Sequence, residues 1–122
     1  MFDVSFPVRD AAKSRAFYTS ALAPLCIGVA IEFPGWVGFG KLGRPRFWLG
    51  GERTPLSGVH IASAAAMRAD VDTFYHAAIA AGGRDNGAPG LRPHYHANYD
   101  GAFVLDPDGR NVEAVCHLAE ST

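Results

Sequence analysis

Residues 92 to 99 read RPHYHANY, which places Arg92, His94, His96 and Tyr99 within eight positions. The stretch offers a guanidinium for a substrate carboxylate or phosphate, two imidazoles for a metal or a proton, and a phenol for hydrogen bonding. If it is extended, His94 and His96 share a face, as a metal-binding pair would require. Pro93 precedes them, and no third ligand lies at a matching local spacing. Covering substrate or shuttling a proton is therefore the expected work of His94 and His96, with Tyr99 as a third candidate base or a hydrogen-bond donor.

Two other positions carry a stronger signal. His60 lies between Val59 and Ile61 in GVHIAS, and Glu113 lies between Val112 and Ala114 in NVEAVCHL. Neighbours in a strand point to opposite faces, so each of these polar side chains would face away from its apolar neighbours. A mid-strand carboxylate rarely sits on a buried face unless it is paired or metal-bound. The competing readings are a histidine satisfied by a backbone carbonyl and a glutamate on an exposed strand face.

The elements that must position them follow from periodicity. DVSFPV reads as a strand and RDAAKSRAFYTSALAPL as an amphipathic helix, with Asp10 as its N-cap and Pro24 limiting its far end. CIGVAIEF, GWVGFGKL and RFWLG follow as strands between turn residues. The pattern then repeats: GVHIAS is a strand and MRADVDTFYHAAIAAGG a helix closed by Gly82-Gly83, with His76 on its polar side. Three strand candidates follow, GGRDN leading into a long loop, DNGAPGLRPHYHANYDG, then HANYDGAFVLD and NVEAVCHL, with residues 101 to 116 forming a hairpin about DPDG.

An offset of 57 superposes Phe17-Tyr18 on Phe74-Tyr75 and Val4 on Ile61. The same shift puts Asp3 on His60. The expected architecture is a single α+β domain over residues 1–122, built of two βαβββ modules at roughly 1–57 and 58–122, whose curved sheets form a cup. Asp3, His60 and Glu113 would then reach it from three different strands. Imidazole nitrogen with carboxylate oxygens suits a divalent ion and leaves positions open for water or substrate. A solvated aspartate near the chain start is the competing reading for Asp3. Trp48, Arg92, Tyr99 and Phe103 are the candidate substrate contacts, Trp48 as an aromatic wall.

Composition narrows the class. With 122 residues, 48% of them hydrophobic, the chain can bury one core. Eleven basic against twelve acidic residues give a formal net charge of -1, and no basic run suits a row of phosphates. Nucleic acid is not an expected partner. Cys26 and Cys116 lack CxxC or CxxH spacing, so both are expected reduced and packed. No signal peptide or membrane span is apparent, and a cytoplasmic location is expected.

DVSFPVRDAAKSRAFYTSALAPL, GVHIAS and GAFVLDPDGRNVEAV resemble signatures of the vicinal oxygen chelate superfamily, which includes glyoxalases, fosfomycin- and bleomycin-resistance proteins and extradiol dioxygenases. The resemblance spans essentially the whole chain, and DPDGxxxE with FYxxxL and HI is more specific for fold than for activity. It implies the two-module fold and a divalent metal, Zn, Ni, Mn or Fe, held by His60, Glu113 and the first-module residue, here Asp3. That position is usually histidine, so the departure implies an altered or empty site. The extra glutamate of glyoxalase I falls at Trp48 to Gly50, with Glu52 in a loop, so lactoylglutathione lyase activity is not expected. The resemblance also implies a homodimer, in which Asp3 of one chain faces His60 and Glu113 of the other. Two functions stand: a metal-dependent lyase, isomerase or dioxygenase acting on a small substrate chelated through neighbouring oxygens, or a non-enzymatic binder with a metal-free cup.

Overall fold

A computed structural model describes residues 4–54 and 59–119. Asp3, the expected first-module ligand, lies outside the described residues. The first module runs β1 (Val4–Pro7), α1 (Ala11–Leu22), a 3-10 turn (Ala23–Leu25), β2 (Gly28–Phe33), β3 (Trp36–Lys41) and β4 (Arg44–Gly50). The second runs β5 (His60–Ala64), α2 (Arg68–Ala80), β6 (Arg84–Leu91), β7 (Asp100–Leu105) and β8 (Asn111–Cys116). Each module makes a four-stranded sheet, ordered β1-β4-β3-β2 and β5-β8-β7-β6. In both, the first strand pairs parallel to the last and the other pairings are antiparallel. This is the α+β arrangement of tandem βαβββ modules that the periodicity predicts.

Local chemistry explains the helix ends. Asp10 is extended, and its carboxylate accepts from the Lys13 N–H, capping α1 as expected. After Leu22 the chain tightens into the 3-10 turn, which contains Pro24 and ends on Cys26 at φ 62. That left-handed residue is exposed, so Cys26 is not packed as expected, whereas Cys116 is buried. After α2, Gly82 at φ +97 reverses the chain without the Cβ penalty of other residues. His76 lies on the exposed side of α2. Among the described residues no helix is long and apolar enough to cross a membrane.

One core serves both modules. Phe17, Tyr18 and Leu22 of α1 and Val71, Phe74 and Ala78 of α2 join the helix-facing side chains of both sheets, among them Phe39, Leu49, Val104 and Val112. Burying each large apolar side chain contributes about 1.5–3 kcal/mol. A buried polar knot fastens the modules together: Asp106 accepts from the Tyr18 hydroxyl at 2.6 Å and pairs with Arg110 at 3.2 Å. Arg110 also donates to the Pro7 carbonyl. The DPDG segment is thus a hairpin turn, as expected, and an intermodule fastener besides. Burial, reinforced by the Asp106 charge, holds the Tyr18 phenol well above its ordinary pKa.

The 57-residue offset places the start of α1, Ala11, on the start of α2, Arg68. It fails afterwards, since Trp36 opens β3 but its counterpart Asp100 opens β7 much later in the second module. The difference lies in β6 and the segment behind it. Residues through Leu91, read from sequence as loop, instead continue β6 despite Gly87, Pro89 and Gly90. β6 is an edge strand with register shifts at Gly87 and Gly90, and such a strand tolerates a missing N–H donor. The loop proper shrinks to Arg92–Tyr99.

Candidate functional site

β5, β7 and β8 place the site. Ile61 and Val112 turn toward the helices, so His60 and Glu113 occupy the opposite face of the second sheet. Glu113 pairs in register with Ala62 on one side and Phe103 on the other, which puts the Phe103 side chain on that face too. His60 Nε2 lies 3.0 Å from Glu113 Oε1. The imidazole is half-exposed, with 48% of its side chain accessible, while the Glu113 carboxylate retains 2%. A buried carboxylate is therefore covered by a half-exposed imidazole.

The second carboxylate oxygen, Oε2, accepts from the Tyr99 hydroxyl. Gly101 makes that contact possible: a Cβ there would come within 3.1 Å of the Tyr99 ring and 3.3 Å of Oε2. Partial burial, then the hydrogen bond to Glu113 and its negative charge, push the Tyr99 phenol up to about 12. Near neutral pH Tyr99 is consequently a proton-bearing donor.

Arg92 lies over the Phe103 ring at 5.1 Å, and Phe103 lies 6.1 Å from the His60 ring. The Arg92 guanidinium donates to the carbonyls of Ala88, Gly90 and Gly101. Those bonds clamp β6 and β7 together where their ladder is irregular.

His94 and His96 do not share an extended face. Residues 93–95 and 97–98 form turns, so the two imidazoles part. His94 is exposed and packs at 4.3 Å on Tyr95, which meets Tyr99 edge-on at 4.8 Å. His96 Nε2 lies 2.7 Å from His117 Nδ1, and His96 Nδ1 accepts from the Asn98 N–H. An accepting Nδ1 requires the proton on Nε2, so His96 donates to His117. His117 also packs 5.3 Å from the Tyr99 ring. It was not singled out in the sequence, because it follows the end of β8 with no local spacing to the loop it holds.

Trp48 is elsewhere. It sits on the corresponding face of the first sheet, stacked on Phe33 at 6.2 Å and 12°. Trp48 pairs with Ser5 as Glu113 pairs with Ala62, so it occupies the first-module counterpart of the Glu113 position. The structure thus brings together His60, Glu113, Tyr99, Phe103 and Arg92, flanks them with His94 and His96, and sets Trp48 on the other sheet.

His60 and Glu113 supply two converging donors of the kinds that bind divalent ions. Among the described residues no three His, Cys, Asp or Glu side chains form a metal-binding group. The pair fits part of a ligand set, the remainder falling to Asp3, water or substrate.

Two four-stranded sheets with helices sharing one core define an open, tandem βαβββ protein. Solved structures of that class match across nearly the whole chain. A glyoxalase/bleomycin resistance protein from Albidiferax ferrireducens is 24% identical with a TM-score of 0.81, over 95% of this chain and 97% of the other. A glyoxalase/bleomycin resistance protein/dioxygenase family enzyme from Burkholderia phytofirmans is 21% identical with a TM-score of 0.74, over 94% and 96%. A glyoxalase I variant from Zea mays is 21% identical with a TM-score of 0.69, over 95% of this chain and 46% of that longer one. This chain has the glyoxalase-like fold that the sequence resemblance implies. No family model and no curated protein matches it.

Proposed function

We propose that the chain is a divalent-metal-dependent enzyme of the vicinal oxygen chelate superfamily, acting on a small substrate through two neighbouring oxygens. The observation that carries the reading is Glu113, a buried carboxylate joined to an accessible imidazole on the face turned away from the core. Burying a carboxylate costs several kcal/mol unless it is paired, so an all-structural strand would favour an apolar residue there. His60 and Glu113 would hold the ion, with Asp3 of the same or a partner chain as the third ligand. The ion would supply Lewis-acid polarisation of the chelated oxygens.

The remaining roles fall to the chain's own groups. Tyr99 holds its proton and directs it at Glu113 Oε2, which orients the carboxylate and spreads its charge. Phe103 and the flat side of Arg92 form an apolar wall beside His60. His94, exposed on the loop, is the base candidate with the fewest commitments, because both nitrogens of His96 are engaged. Trp48, stacked on Phe33, would provide an aromatic wall from the first module, of the same chain or of a partner in a homodimer. A reducing, cytoplasmic setting suits the exposed free Cys26.

Elemental analysis of protein purified without chelator tests the proposal. A stoichiometric divalent ion that disappears in His60→Ala and persists in His94→Ala supports it. No bound metal under varied supply overturns it in favour of a metal-free binder.

A further inference from the structure

A cavity of about 560 Å³ lies on the helix-facing side of the sheets, behind the strands that carry His60 and Glu113. Its apolar walls include Val4 and Phe47 of the first sheet, Leu22 and Ile27 at the end of α1, and Ile61 and Val112 of the second sheet. Ile61 and Val112 adjoin His60 and Glu113 in the chain but point the other way; Ala62 of the edge strand β5 also borders the cavity, whereas neither His60 nor Glu113 lines it. The volume falls within the range of roughly 300–1,000 Å³ usual for small-ligand sites.

Among the described residues its charged rim is cationic. Lys41, Arg44 and Arg46 line it, and none of the described lining residues is acidic. Lys41 and Arg44 are direct cross-strand partners at the β3–β4 turn. Like charges so placed repel, and among the described residues neither has an ion-pair partner. An anion between them would relieve the repulsion. Leu42, 96% exposed at the tip of the same turn, adds an apolar residue beside the mouth.

We propose that this cavity binds a small amphipathic anion of the medium-chain carboxylate class. The hydrocarbon part lies among Val4, Phe47, Ile61 and Val112, and the acid group is held by Lys41 and Arg44. Neither group alone accounts for the selection: the walls favour any apolar tail, and the paired cations choose the charged head.

Calorimetric titration of the full chain with dodecanoate and with dodecanol, its uncharged analogue, is the test. Dodecanoate is expected to saturate one site, with dodecanol at least about tenfold weaker. Lys41→Glu with Arg44→Glu should erase that preference while leaving dodecanol binding in place. Val4→Trp, at a half-exposed position that tolerates bulk, should block both ligands. His60→Ala should bind dodecanoate as the parent does, whatever its metal content, which separates this proposal from the preceding one. Absence of saturable binding, equal affinity for acid and alcohol, or loss of dodecanoate binding in His60→Ala but not in Val4→Trp would each overturn it.

Discussion

His60 Nε2 and Glu113 Oε1 lie 3.0 Å apart on adjacent parallel strands, one side chain half-exposed and the other nearly closed to solvent. The asymmetry makes His60 the cover and polar partner of Glu113. His60→Ala should therefore destabilise the metal-free protein by about 1–3 kcal/mol, the usual cost of leaving a buried polar group short of a partner. In a Glu113→Gln background the same substitution should cost much less, since no buried charge is left uncompensated. Equal costs in both backgrounds, measured by urea denaturation, would show that the two side chains are not coupled.

Tyr99 predicts an alkaline signature. Its folded-state pKa, near 12, lies above the ordinary 10.0, so the native protein holds this proton after the unfolded chain has released it. The contribution is fully present below pH 10 and is lost as pH rises from there through about 12. Ultraviolet titration should show a late-ionising phenol that is missing from Tyr99→Phe. Tyr18 titrates late as well but is unaffected by that substitution, which makes the difference between the two proteins diagnostic.

Gly101 tests the geometry without touching a reactive group. In Gly101→Ala the new methyl would press on both the Tyr99 ring and Glu113 Oε2. A cost of about 1–3 kcal/mol is expected, as for other overpacked sites. With it, the Tyr99 titration should move back toward 10. A late Tyr99 titration retained in a stably folded Gly101→Ala protein would mean that the ring accommodates the methyl elsewhere.

His117→Ala should loosen the Arg92–Tyr99 loop by removing the acceptor for His96 Nε2. Amide exchange at Tyr95 and Tyr99, whose N–H groups donate within the loop, should quicken, while the β8 amides keep their protection. Unchanged exchange in the loop would leave the histidine pair without a positioning role.

Much of the site was legible because strand alternation acts over short distances. A lone histidine in GVHIAS and a lone glutamate in NVEAVCHL betray their faces through their immediate neighbours, and both are where that rule puts them. The 57-residue repeat reveals the modules for the same reason, since each helix carries its own apolar stripe. Of the edge strand β6 only the start, in GGRDN, was legible. Gly87, Pro89 and Gly90 look like loop residues by local propensity, and only their place at a sheet margin lets them pair.

The sequence by itself determined the two βαβββ modules, the helix ends at Asp10 and Gly82-Gly83, and the faces of His60 and Glu113, because these depend on residues a few positions apart. Tertiary structure decided which polar groups meet. Tyr99 reaches Glu113 over the bare Gly101 backbone, His96 finds His117 across the loop, and Arg92 is drawn onto three carbonyls of an irregular ladder. It also decided that Trp48 stacks on Phe33. Such contacts join residues whose separation in the chain bears no relation to their distance in space, and packing of the shared core brings them together.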